Sequence, residues 1–303
     1  MRTQSAWALG VCLALVGASE TLGQAQVAQY AVRVQPSNDA AKGQWITLKD
    51  YEEIGSPAIS PDGKWVAFDA HKDGFLNSQS EIWVARRDGS ELQKVATGAA
   101  PRFLSDGKTI VFMRERHETN VNRLGVFTVG LDGAVENRIC LGRWPDPSPD
   151  GKQIAYSVTE SRTAAGGAKP LSRVFLADAN GANPQVLADG DCPSWSPDGK
   201  KIACCFYDPA FRGPMLRLVD IATQEQSILG YGWFRANWLP DGEHVAASGI
   251  SEAGRQQVSL FNLTAWSKPK TIFSEFTRAS APCYSRDGKL VAFIAIRPAV
   301  EEQ

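Results

Sequence analysis

Three histidines, a repeated acidic turn and two clusters of tryptophan and arginine are the side chains of this chain best equipped for chemistry. His71 lies in Asp69-Ala70-His71-Lys72-Asp73 and His117 in Arg114-Glu115-Arg116-His117-Glu118. Each follows an apolar strand-like run, so both are expected on one face of the fold, near enough to approach one another. His244 adjoins a turn of the repeat and belongs to the opposite face. A three-histidine metal site is therefore excluded by geometry, and exposed loop histidines are the plainer expectation. The repeated Asp does not point to calcium, which wants six to eight converging oxygens, whereas one carboxylate per repeat is spread around a rim. The chain contains no Gly-x-Ser-x-Gly nucleophile elbow and no Cys-x-x-Cys. No catalytic residue, metal ligand or cofactor is expected from these patterns.

Binding chemistry is better represented. Arg143-Trp144-Pro145-Asp146 and Gly230-Tyr231-Gly232-Trp233-Phe234-Arg235-Ala236-Asn237 read as loops rich in Trp, Tyr and Arg, the residue types that dominate binding hot spots. The same aromatics could instead be tucked onto the scaffold. Arg102 and Asp146 fall at equivalent positions of successive repeats, where they either pair or hold a charged ligand group. The expected partner-binding set is Arg102, Trp144, Asp146, Trp233, Phe234, Arg235 and Asn237.

The elements that position these residues follow from an Asp-Gly phrase that occurs six times: Ser60-Pro61-Asp62-Gly63-Lys64, Asp106-Gly107-Lys108, Ser148-Pro149-Asp150-Gly151-Lys152, Ser196-Pro197-Asp198-Gly199-Lys200, Pro240-Asp241-Gly242-Glu243 and Arg286-Asp287-Gly288-Lys289. Successive Asp residues are 44, 44, 48, 43 and 46 positions apart, and a period of roughly 40 to 50 is one four-stranded propeller blade. Asp-Gly is a hairpin signal, because Gly supplies positive φ and Asp can hydrogen-bond its own following backbone. Apolar runs such as Trp65-Val66-Ala67-Phe68 and Leu290-Val291-Ala292-Phe293 follow the phrase as strands. The expectation is an all-β, six-bladed β-propeller with four-stranded antiparallel blades over residues 27–303. Tyr30 to Val34 and Gln44 to Leu48 are expected to complete the last blade, closing the ring and removing open sheet edges.

Four positions before each Asp stand Ala58, Arg102, Asp146, Ser194, Asn237 and Cys283, expected along the central channel. The next slot, with Trp195 and Trp238, is expected between blades.

Arg2 followed by the apolar Ala6 to Ala18 is similar to a secretory signal peptide over residues 1–25, cleaved after Gly23 or Ala25. The stretch is short for a span of about 20 residues, so no transmembrane segment is expected. Val11 before Cys12 argues against a lipid anchor. Export to a periplasmic or extracellular space leaves five cysteines, an odd number. An unbroken hairpin register around Pro197 to Lys200 sets Cys192 opposite Cys205, either as a disulfide or as reduced neighbours. With 32 basic and 33 acidic side chains the formal charge is −1, and no basic run suits nucleic acid.

The Ser-Pro-Asp-Gly-Lys phrases with their apolar strands resemble the WD-repeat-like propeller repeats of TolB-type proteins, over about residues 45–297. That resemblance implies a periplasmic, non-enzymatic protein that binds other envelope proteins, here without the separate α/β domain that precedes the TolB propeller. The expected partner is a protein or cell-envelope component, and the expected state alone is a monomer. Similar repeats occur in prolyl-oligopeptidase-type peptidases and in oligogalacturonate-lyase-type propellers, where histidines hold a divalent metal. A metal-dependent lyase-like or hydrolase enzyme, and a purely structural scaffold, therefore stand as alternatives.

Overall fold

The computed structural model describes residues 29–72, 80–118, 121–160, 171–208, 213–251, 254–265 and 268–297. The signal-peptide expectation over residues 1–25 lies outside them, as does the side chain of His117. Six four-stranded antiparallel sheets form the ring. Blade 1 comprises Glu53–Ile59, Trp65–His71, Glu81–Arg86 and Gln93–Thr97; blade 2, Ala99–Phe103, Thr109–Glu118, Val121–Gly130 and Asn137–Leu141. Blade 3 comprises Arg143–Pro147, Gln153–Glu160, Leu171–Asp178 and Gln185–Asp189; blade 4, Asp191–Trp195, Lys201–Asp208, Gly213–Asp220 and Gln226–Tyr231. Blade 5 comprises Trp233–Trp238, His244–Ile250, Gln256–Asn262 and Lys270–Ile272. Blade 6 takes Ala279–Tyr284 and Leu290–Ile296 from one end of the chain and Tyr30–Pro36 and Gln44–Ile46 from the other. The register of this closure runs from Tyr30 opposite Ile296 to Pro36 opposite Leu290.

Each Asp-Gly phrase is a hairpin turn locked from within. In the first, Gly63 N–H donates to Ser60 O at 2.8 Å, Ser60 Oγ donates to Asp62 Oδ1 at 2.7 Å, and Asp62 Oδ1 also accepts Lys64 N–H at 3.1 Å. The same serine geometry recurs at Ser148, Ser196 and Ser285. Where Leu104 and Leu239 replace that serine, the Asp finds another partner: Thr109 Oγ1 donates to Asp106 Oδ2 at 2.7 Å, and His244 Nδ1 lies 2.8 Å from Asp241 Oδ2. His244 is thus a component of a turn.

The second strands supply the core, with Phe68, Phe112, Ile154, Ile202 and Phe293 fully buried between blades. Trp195 and Trp238 pack there too, and their Nε1 atoms donate to Asp146 O at 3.0 Å and Ser194 O at 3.1 Å of the preceding blades.

Four blade-to-blade connections consist of a single glycine: Gly98, Gly142, Gly190 and Gly232. At Gly98 (φ 156°) a Cβ would stand 2.4 Å from the Phe112 ring and 2.7 Å from Met113 O, so the chain crosses between blades only because no side chain is present. This corrects the expectation of anchor-rich loops: Arg143 to Pro147 and Trp233 to Trp238 are the inner strands themselves.

Two outcomes check this account. Gly98→Ala should lower the melting temperature by several degrees, about 1–3 kcal/mol for a forced clash at positive φ. Val32→Asp places a charge at a fully buried site of the closing strand, and should convert a single thermal transition into loss of folded monomer by gel filtration. An unchanged melt for Val32→Asp would mean that the closing strands are dispensable.

Candidate functional site

Every inner strand carries one non-glycine residue at positive φ, six positions before the turn Asp: Ser56 (45°), Ala100 (54°), Trp144 (52°), Cys192 (50°), Arg235 (50°) and Ala281 (51°). In each strand the pairing register shifts across or beside this residue, which marks a β-bulge. The bulge turns the side chain out of the ladder, and all six residues line one concavity in the central channel, together with Arg102 and Asn237. Ala100, Trp144, Cys192 and Phe234 join Met113 and Cys205 in an apolar cluster at this level.

The bulge also corrects the cysteine register, because it sets Asp191, not Cys192, opposite Cys205. The described cysteines form no disulfide, and the Cys205 thiol donates to Asp191 O at 3.3 Å.

The anticipated binding residues divide by environment. Arg102 Nε lies 3.3 Å from Asp146 Oδ1, so the two form the inter-blade pair. Asp146 Oδ2 also accepts Trp195 N–H at 2.8 Å, and burial pushes its carboxyl up to about 6 in spite of Arg102. The Arg235 guanidinium lies over the Trp144 ring, 4.4 Å from its centroid, linking blade 5 to blade 3 across the channel. Phe234 is buried beside them. Trp233 is separate: it packs edge-on against Phe261 (5.4 Å between centroids) and over Gly249, as part of the scaffold.

Asp69 and Glu53, which the sequence did not single out, complete the mouth of the channel together with His71, which it did. Asp69, 3% exposed, accepts Ala100 N–H at 2.7 Å and so pins blade 1 to blade 2. It fits because Gly55 faces it: a Cβ there would stand 2.4 Å from Asp69 Oδ1. His71 Nε2 lies 3.4 Å from Asp69 Oδ1, and its Nδ1 lies 3.0 Å from Ser80 Oγ. With its side chain 12% exposed, His71 corrects the expectation of an exposed loop histidine. Burial opposes charge on both members of the pair. Their mutual attraction prevails, holding Asp69 below and His71 above its ordinary value. Glu53, opposite His71 in the register, is pushed by burial up to about 7. The signal for Asp69 was its polarity at a strand position filled in blade 2 by Met113 and in blade 6 by Ile294.

Ser80, His71 and Asp69 contain the atoms of a nucleophile–base–acid relay, but Ser80 is buried, and the relay braces the Asp69–Ala100 link. Among the described residues no group of three or more His, Cys, Asp or Glu is placed to hold a metal. Three residues that line the concavity each have a buried donor atom without a hydrogen-bond partner, Ser56 Oγ, Arg102 Nε and Arg235 Nε, while Arg102 Nη1 donates to Pro101 O at 3.0 Å. Arg102 Nε is close enough to Asp146 for charge pairing but misaligned for a hydrogen bond. An orphaned buried donor costs about 1–3 kcal/mol, and a cation–π contact contributes about 0.5–2 kcal/mol. The arrangement is suited to binding an acceptor.

Glu53 gives a signed pH test. Its folded-state value of about 7 exceeds its ordinary 4.5, so its neutral form contributes stability at acid pH that is lost as pH rises from about 4.5 through 7. Glu53→Gln should match the wild type in melting temperature at pH 5 and exceed it at pH 8; calorimetry showing an equal difference at both pH values would refute the assignment.

No family model matches the chain. In sequence it is 32% identical to the Tol-Pal system protein TolB of Francisella tularensis over 111 residues, 34% of this chain and 24% of that protein. In structure it is similar to TolB from Acinetobacter baumannii (TM-score 0.58, 19% identity, 88% of this chain and 63% of the other). It is also similar to a protein assigned as TolB from Agrobacterium tumefaciens (TM-score 0.69, 16% identity, 90% and 100%). An oligogalacturonate lyase in complex with manganese shares the fold at TM-score 0.52 and 14% identity, over 84% of this chain and 80% of the other. The sequence match thus spans about a quarter of its curated relative, and the structural likenesses speak for the fold. The chain is a six-bladed β-propeller of the TolB-type fold.

Proposed function

We propose that this protein is an exported, periplasmic or extracellular, non-enzymatic propeller that binds a protein or cell-envelope component through the face on which its inner strands begin. The observation that carries the reading is the ring of six bulges, which turns one side chain per blade into a common concavity and leaves three donors there without partners. A catalyst needs a reactive group that substrate can reach, whereas the one relay of the described mouth is closed behind a buried Ser80. A recognition surface needs a concave centre and an aromatic border. Tyr231 (51% exposed) and Tyr207 (39% exposed) stand at strand ends of blade 4 on this same face. Likeness to TolB, a Tol-Pal system protein, favours a protein as partner. Among the described residues no helix is long and apolar enough to cross a membrane.

Trp233 is unsuited to test this, since its removal would open a void against Gly249 and Phe261. The test is mild crosslinking in envelopes of the source cells, followed by native mass spectrometry of wild type and a Tyr231→Ala, Arg235→Gln variant. A protein-sized added mass that is lost in the variant, with melting temperature unchanged, is the expected result. A metal- or sugar-sized adduct retained in both would favour the lyase-like reading.

A further inference from the structure

The concavity has a chemistry more specific than a generic docking face. Its three orphaned donors come from three blades: Ser56 from blade 1, Arg102 from blade 2 and Arg235 from blade 5. Ser56 is 4% exposed and its hydroxyl has no acceptor. Proline follows the positive-φ residue in five of the six inner strands, and four of these prolines (Pro57, Pro145, Pro193 and Pro282) line the concavity with a wall that offers no N–H. The donors therefore come from a few side chains of fixed position.

Arg235 is set up for a flat, charged acceptor. With its carbon 4.4 Å from the Trp144 ring centroid the Arg235 guanidinium has one side against the indole, and the planar group carries a fork of N–H donors that matches a carboxylate. Two of the resident carboxylates are committed elsewhere, Asp69 to the Ala100 amide and His71, Asp146 to the Trp195 amide and Arg102; the third, Glu53, has a buried Oε2 without a partner and is pushed by burial up to about 7, toward its neutral form. Resting on the docking reading above, we propose that the mouth of the channel is a carboxylate subsite, in which an acidic side chain of a protein partner is held by Arg235 with Ser56 and Arg102 as further donors.

The probe is sodium propionate, with neutral propionamide as its control, titrated into the full folded protein while the arginine Nε–H signals are followed by nitrogen-15 NMR. Arg235→Lys assigns the Arg235 signal and removes the fork while keeping the charge. Saturable shifts of Arg235 and Arg102 with propionate alone are expected. Ser56→Gly suits the positive φ and deletes only the hydroxyl; it should weaken propionate about tenfold, the loss of one hydrogen bond to a charged acceptor. Excess propionate should also reduce crosslinked capture of the partner. No shift at Arg235, or an equal shift with propionamide, overturns the subsite, even where capture shows that docking itself stands. Saturable propionate binding with no protein captured overturns the protein source and leaves a site for a small free carboxylate.

Discussion

The structure depends on a backbone constraint met six times: an inner strand must approach the channel axis and still pair with its neighbour. A regular strand would alternate its side chains between blades and leave the axis to backbone alone. The bulge adds a residue, bends the strand and swings one side chain toward the axis. Placing a non-glycine residue at positive φ costs about 1–2 kcal/mol each time. Glycine would relieve that cost but leave nothing to fill the centre. Ala100, Trp144 and Cys192 fill it instead, packed with Phe234. The proline that follows in five blades removes an N–H where the ladder is interrupted, so the bulge strands one fewer polar group.

The same positions tie the blades together. Asp69 accepts the Ala100 amide, and Ser248 accepts the Ala281 amide at 2.8 Å in the equivalent place between blades 5 and 6. Asp146 joins blade 3 both to Arg102 of blade 2 and to Trp195 of blade 4. The side chains that line the concavity and those that join the blades are thus largely one set. A ligand group that reached Arg102 or Arg235 would be felt by the clamps that hold neighbouring blades in line, because Arg102 pairs with Asp146 at 3.3 Å and the charge of Arg235 acts on Asp69 and His71.

Much of this was legible in the sequence. The six Asp-Gly phrases carry turn chemistry that is wholly local, so spacing alone gives blade number, and alternation assigns Trp195 and Trp238 to the inter-blade core. The pairing of Arg102 with Asp146 could be reached from equivalent positions. The positive-φ bulge was hidden, because Ser-Pro, Ala-Pro and Trp-Pro carry no mark of an extra residue in a strand, and the cysteine register slipped with it. Asp69 and His71 were hidden for another reason: their roles arise from contacts across blades and with each other, which no local pattern encodes. The loop-like look of Gly230 to Asn237 came from two glycines, of which Gly232 is a single-residue crossing and Gly230 lies within the last strand of blade 4.

Closure of blade 6 joins Tyr30 to Ile296, and Arg297 N–H donates to Gln29 O at 3.1 Å. The two ends of the described chain therefore meet on one face, side by side. For a nascent polypeptide this imposes an order of events: residues 30–46 emerge first yet cannot find their sheet until residues 290–296 have been made. During that interval the early strands are unsheltered β-forming segments, and the entropy of closing so long a loop falls on the final step. The ring thus closes only once residues 290–296 stand beside residues 30–36, so blade 6 cannot form from either segment alone.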